Sequence, residues 1–378
     1  MSASPAFADL GLLRCWLAIA RAPGLHADHL RPALARVGSP LGLWRERPDR
    51  LRGLGLPSAA SVALADPPEA RIDADLAFLQ RSGSLLLPCT DPGYPVQLAQ
   101  IPCAPAVLHV RGDPAVLHRP QLAVVGSRRP TPAGRDIAQA FSGALSAAGL
   151  VITSGLALGI DAAAHEGALQ AGGHTIAVCG TGLDRCYPSR HEDLARRIAD
   201  QGALVSEFPP GTAPLAHHFP RRNRILSGLT RGTLVVEAAL PSGSLVTARC
   251  AADQGREVFA IPGSIRNPLS AGCHSLLRDG ARLVTSPHDI LGEIDLPIEN
   301  LCLDFHKVAK TPGQHGPGRR LDKPSEMLLD ALGFEPASVD ELVDRTGLPA
   351  GSVASMLLAL ELDLRVAPQP GGLYCRLR

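Results

Sequence analysis

Three groups of residues could do chemistry on an anion. The densest is His217-His218-Phe219-Pro220-Arg221-Arg222-Asn223-Arg224, where one aromatic ring sits among three arginines and an amide. Guanidinium groups fork onto phosphate oxygens and a ring can stack on a base, so this pairing suits single-stranded nucleic acid. From Phe208 to Val236 there is no acidic residue, against Arg221, Arg222, Arg224 and Arg231, so positive charge is concentrated there. Burial of Phe219 in a core is the competing reading, and the sequence leaves both open. The second group is Gly126-Ser127-Arg128-Arg129. Its glycine lets backbone approach a ligand closely, Ser127 offers a hydroxyl and Arg128 a fork. It is not G-x-G-x-x-G, so its dinucleotide signal is weak. The third group is a pair of small-residue runs, around Ser154-Gly155 and Ser242-Gly243-Ser244, each opening a helix-like segment whose amides could hold an anion.

Catalytic and metal constellations are weaker. His165 and Glu166 could act as acid and base, although such residues more often sit on a helix flank. Cys179, Cys186 and His191 lie near one another in sequence, but no C-x-x-C occurs and small buried cysteines at a strand end are commoner. No catalytic residue, metal or cofactor is therefore expected. Only three of the 37 basic residues are lysines, the first of them Lys307. The region before it has no P-loop lysine and no Schiff-base lysine.

The elements that must position these groups are legible between Leu122 and Leu291. Six apolar runs, Leu122–Val125, Leu150–Thr153, Thr175–Val178, Ala203–Val205, Thr233–Val236 and Glu257–Ala260, alternate with helix-like segments. Strand, loop and helix in regular alternation mean βαβ units and a parallel sheet, which binds ligands beyond the carboxyl ends of its strands. The small residues and arginines gather at those ends.

The chain has 378 residues, enough for two or three domains, and a net charge of only +1, so a nucleic-acid surface requires local clustering. The expected organisation is a helical domain over 1–70 and an extended Rossmann-like α/β domain over 71–291. A linker over 292–323 and a winged-helix domain over 324–378 follow. Two turns in the first section, 22–30 and 54–64, resemble half of a helix-hairpin-helix, with an ordinary helical corner as the favoured alternative. In the last section Ser338 and Glu341 make a capping box, and Pro349 starts the third helix. That section has four basic residues against eight acids, a net of −4, and nothing between Thr346 and Leu364 is basic. Its third helix is therefore not expected to read DNA. Nine cysteines without a visible signal peptide point to reduced thiols in the cytoplasm, and no apolar run reaches membrane-spanning length, so no membrane partner is expected.

GSRRPTPAG, SGLALGIDAAAHEGAL, FPRRNRILSGL, VVEA, SGSLVTA, GREVFAIPG and AGCHSLLRDGA occur in this order and spacing. Together they closely resemble the bacterial DNA-processing protein A family, called DprA or Smf, over about residues 85–291. The flanking sections are also similar to that family, with a SAM-like domain before and a winged helix after. The resemblance implies a protein that binds single-stranded DNA during natural transformation, protects it and loads a RecA-class recombinase. It implies a homodimer formed through the Rossmann-like domain. It places the pocket at Ser127, Arg128, Phe219, Arg221, Arg222, Asn223 and Arg224, floored by Gly126, Ser154, Gly155, Ser242, Gly243 and Ser244. Ala133 departs from the family, which often has an aromatic there; this weakens any stacking role for the first loop.

The runner-up is a nucleotide or sugar-phosphate hydrolase similar to the lysine-decarboxylase-like phosphoribohydrolases. Those use P-G-G-x-G-T-x-x-E, where this chain has PSGSLVTA without the double glycine or the glutamate. A sequence-specific regulator acting through the winged helix is the third reading.

Overall fold

The computed structural model describes residues 9–294, 322–333 and 336–377. The chain separates into two compact units, Met1–Leu303 and Asp304–Arg378. Most of the expected linker, residues 295–321, lies outside the described residues.

The first unit is built on one sheet. Its strands are β1 (Leu85–Pro88), β2 (Val107–Gly112), β3 (Gln121–Val125), β4 (Val151–Ser154), β5 (Thr175–Val178), β6 (Ala203–Ser206), β7 (Gly232–Val235), β8 (Glu257–Ala260) and β9 (Arg282–Leu283). They lie in the order β1-β2-β6-β5-β4-β3-β7-β8-β9. From β6 to β9 all neighbours are parallel, while β2 joins β6 and β1 joins β2 antiparallel. Strands β3 to β7 are buried along their whole length, as expected of a parallel sheet covered on both faces, and their sequences are accordingly continuous apolar runs. All six expected strands form, with ends shifted by at most one residue. The chain steps outward from β3 to β6, then returns to place β7 on the other side of β3. The switch point of the sheet thus lies between the carboxyl ends of β3 and β7.

Helices cover both faces. The N-terminal ones are α1 (Leu10–Arg21), α2 (Ala27–Val37), α3 (Pro48–Gly53), α4 (Ser58–Ala65) and α5 (Glu69–Ser82). Next come α6 (Val96–Ala99), α7 (Pro132–Ala147), α8 (Ile160–Gln170), α9 (Glu192–Gln201), α10 (His218–Leu229), α11 (Gly243–Asp253), α12 (Ala271–Arg278) and α13 (Pro287–Leu291). Trp16, Leu17 and Ile19 of α1 share a continuous core with Ile72 of α5 and with Leu86 and Leu108 of the sheet. Arg21 is held by Asp75 at 2.6 Å and donates a hydrogen bond to the Pro210 carbonyl, tying this section to the loop after β6. At the first helix-hairpin-helix-like turn, the Ala27 amide donates to the Ala104 carbonyl. That start of α2 is covered by the chain's own backbone.

In the second unit α14 (Lys323–Leu332), α15 (Val339–Thr346) and α16 (Ala350–Leu362) pack on a sheet ordered β10-β12-β11. These strands are Ala337–Ser338 (β10), Val366–Gln369 (β11) and Leu373–Arg376 (β12). The capping box of Ser338 and Glu341 is formed, and Gly347 ends α15 in a left-handed conformation. Leu357 and Leu360 point into a core with Leu328, Leu342 and Val366. No described helix is long and apolar enough to cross a membrane.

Candidate nucleic-acid interface

The basic segment, whose histidines, arginines and proline have loop composition, is helical from His218 onward, which redistributes its side chains. Pro220 is tolerated because the first turn of a helix has no internal use for its amide hydrogens. Helical spacing sends Arg222, Asn223, Ile225 and Leu226 inward and leaves Arg221 outward. Arg222 is only 5 % exposed, and its Nη1 donates to the Val178 carbonyl at 2.9 Å. Its guanidinium fills the volume beside Gly155, where a Cβ would overlap it. Burial lowers the Arg222 pKa, and the buried carboxylate of Asp161 opposes that shift. Asn223 is buried and reaches the Gly243 carbonyl at 3.3 Å, linking α10 to the start of α11. The Nη2 of Arg224 donates to Glu207 at 2.5 Å, and Arg221 stands 3.7 Å from the same carboxylate. The acid-free stretch thus begins one residue after an acid that quenches part of its charge.

Two of the expected anion sites are occupied by the protein's own carboxylates. In the loop after β4, Asp161 accepts hydrogen bonds from the amides of Gly155 at 3.1 Å and Ala157 at 3.4 Å. Burial pushes the Asp161 carboxyl up, while Arg222 and these amides hold it down. Ser154 is fully buried and donates to the Val124 carbonyl at 2.6 Å, so its hydroxyl serves the sheet and does not line an open floor. At the switch point, the Glu237 carboxylate accepts from the Thr131 amide at 2.9 Å and from its hydroxyl at 2.6 Å. Thr131 caps α7, so this carboxylate sits where the N-terminus of α7 would otherwise attract a ligand anion. Burial raises the Glu237 pKa, against the two Thr131 hydrogen bonds.

The loops are also tied to one another. The Ser127 amide donates to the Glu237 carbonyl at 2.7 Å, and the Ile160 amide to the Ser127 carbonyl at 3.1 Å. Gly126 has no room for a Cβ between Ile160 and Glu237.

What stays open is a rim. Arg128 is exposed, with its guanidinium carbon 5.8 Å from the centroid of the half-buried Phe219 ring. No carboxylate pairs with Arg128 among the described residues. Arg221 lies 5.4 Å over the Phe208 ring. Beside them, α11 starts at an exposed Gly243, with the Ser242 hydroxyl accepting from the Ser244 amide and 2.7 Å from the Ser244 hydroxyl. Ser244 itself is buried. Of the expected site residues, Ser127, Arg128, Phe219, Arg221, Ser242 and Gly243 keep accessible surface on this edge. Gly126, Ser154, Gly155, Arg222, Asn223, Arg224 and Ser244 brace it from beneath or behind.

Sequence reasoning set Glu207 on the rim without its arginine partners and missed the roles of Asp161 and Glu237, because a carboxylate reads as a repellent of phosphate until its partners are known. It also missed Tyr187, 46 % exposed, whose ring centroid lies 5.5 Å from that of Phe219. An aromatic in the polar segment Leu183–His191 was the available signal. His165 is buried, its ring 2.7 Å from the Thr175 hydroxyl, and Glu166 pairs with Arg197, so the two do not form a reactive pair. Cys179, Cys186 and His191 each meet a separate backbone carbonyl, and no metal-binding cluster occurs among the described residues.

The family model described as DNA recombination-mediator protein A matches residues 85–295, and that of the DprA winged helix domain matches residues 312–372. The chain belongs to the DNA-processing protein A family. Protein Smf of Escherichia coli K12 is 47% identical over 315 residues, covering 82% of each chain. The DprA of Streptococcus pneumoniae R6 is 49% identical over 206 residues, 54% of this chain and 72% of that one. Among solved structures, DprA from Streptococcus pneumoniae superposes with a TM-score of 0.67 at 38% identity, covering 75% of this chain and 99% of that one. DprA from Helicobacter pylori, described for its single-stranded DNA binding mode, gives a TM-score of 0.51 at 29% identity over 56% of this chain and 94% of that one. The chain therefore has its family's Rossmann-like sheet and winged helix, and the rim described above lies within the matched segment.

Proposed function

We propose that this protein binds single-stranded DNA across the carboxyl rim of its sheet and so mediates recombination of DNA taken up in transformation. The observation that carries this reading is Arg128, exposed at the end of β3 with no carboxylate partner among the described residues and held against Phe219. A cation ready for a phosphate beside aromatic rings is the chemistry of single-strand binding. The described binding mode of the Helicobacter pylori relative supports the same ligand. The finer parts of the reading are that the protein works in the cytoplasm as a homodimer and loads a RecA-class recombinase on the strand it holds. The task is binding and delivery, without a reaction of its own. The carboxylates at this edge, Asp161, Glu207 and Glu237, are already engaged by protein donors, which gives the hydrolase alternative no support.

The test is titration of the purified protein with random-sequence single- and double-stranded oligonucleotides at two salt concentrations. Tighter binding of single strands, weakening steeply with salt, is expected. Equal affinity for both at each salt overturns the reading. Light scattering at micromolar concentration tests the dimer, and stimulation of recombinase filament assembly tests the loading step.

A further inference from the structure

Phe219 has little surface left to give. Arg128 lies over its ring, the Tyr187 ring is tilted 44° against it, and it packs on the backbone at Gly180 so closely that a Cβ there would come 3.0 Å from its Cδ1. A base that stacked on Phe219 would have to displace Arg128, the cation best placed to hold the neighbouring phosphate. Tyr187 is different. It is the most exposed Phe, Tyr or Trp side chain of the described residues, at 46 %, and Phe219 supports it from one side. It stands in the loop between β5 and α9, with Arg185 before it and Arg190 after it, both exposed. Asp184, 3.5 Å from Arg185, is the acid nearest to it in sequence. Aromatics interleaved with arginines at a strand-end loop are what a single-strand surface requires.

We propose that Tyr187 is the base-stacking residue of this rim, taking an unstacked base on its open face while Phe219 supports it and holds Arg128 toward the adjoining phosphate. The inference rests on the single-strand reading above and deepens it by dividing the work between the two rings. Stacking on Tyr187 adds a contact that depends on the base. Loss of Phe219 acts through Arg128 and is felt at the phosphate whether or not a base is attached.

The experiment uses the full chain and two oligonucleotides of equal length, oligothymidine and one in which the bases are removed over the central positions. Tyr187→Ala is expected to weaken oligothymidine binding by roughly five- to a hundredfold and to leave the abasic strand unaffected. Tyr187→Phe should retain affinity. Tyr187→Trp should show extra fluorescence, beyond the two native tryptophans, that is quenched by oligothymidine but not by the abasic strand. Phe219→Ala should weaken both strands alike. Wild-type affinity of Tyr187→Ala for oligothymidine, or an equal loss on both strands with circular dichroism unchanged, overturns the proposal. If the wild-type protein itself fails to bind single strands, the functional reading falls first and this inference with it.

Discussion

Gly155 and Arg222 share one small volume: the Arg222 guanidinium lies where a Cβ on residue 155 would be, at the end of β4. The glycine is thus part of an internal arginine's seat, and the arginine pins α10 to β5 through the Val178 carbonyl. Gly155→Ala should expel or distort Arg222 and cost about 3 kcal/mol of stability, the upper range for overpacking a dense interior. Urea denaturation measures it. A loss below about 0.5 kcal/mol would show that Arg222 can leave its seat freely. By the same reasoning Arg128→Ala should weaken DNA binding with no loss of stability, whereas Arg222→Ala should lose both.

Glu207 governs how much of the α10 charge reaches a ligand. It holds Arg224 at 2.5 Å and lies 3.7 Å from Arg221. Glu207→Gln should release part of that charge, tightening single-strand binding several-fold at low salt. The salt dependence should steepen by about 0.7 in log-log slope for each phosphate newly neutralised. The variant should also be less stable, since the half-buried Arg224 keeps its charge without a counter-charge. Unchanged affinity and slope would mean that Glu207 does not limit the charge that Arg221 presents to the nucleic acid.

The winged helix is expected to contribute little to single-strand affinity. Its α16 presents Ser352, Ser355, Leu358 and Leu362 outward, with no basic residue. Truncation after about Pro317 should leave affinity within a factor of a few. A tenfold drop, about 1.4 kcal/mol, in a truncated protein that keeps the oligomeric state of the full chain would overturn this.

A pH dependence follows from His109, fully buried in β2 with no hydrogen-bond partner on either ring nitrogen. Burial pushes its pKa down from 6.5 to about 3. The unfolded chain therefore takes up a proton below 6.5 that the folded chain refuses, so stability is full above that value and falls as pH drops toward 3. Between pH 7.5 and 5.5 this costs about 1.4 kcal/mol. His165, also buried and pushed down to about 3, behaves alike, so His109→Leu should remove about half of the combined effect. Thermal denaturation at the two pH values checks it; a loss as steep as that of the wild type would mean that His109 accepts a proton in the folded state.

How far the sequence could be read depended on the range of the interaction. The capping box of Ser338 and Glu341 and the apolar runs of β5 and β8 are local, and they formed at the expected residues. The start of α10 was legible only in part, because a run of histidines, arginines and a proline has loop composition. Pro220 is nonetheless compatible with a first turn. The inward direction of Arg222 was not legible at all. Its burial depends on a missing Cβ at Gly155, a carbonyl at Val178 and a carboxylate at Asp161, each on a different segment. The same holds for Glu237, whose partner Thr131 is 106 residues away.

Glu237 on the start of α7 has a further consequence. In a sheet of this topology the switch point is where a small phosphorylated molecule would push its charged end inward. Here that position is already taken by the Glu237 carboxyl group, held by Thr131. A terminal phosphate entering there would meet a carboxyl group already engaged by Thr131. On the single-strand reading proposed above, the strand is expected to lie across the rim as a rope lies over a rail. A closed circle of single strand should then serve as well as a linear one, with no free end needed for binding.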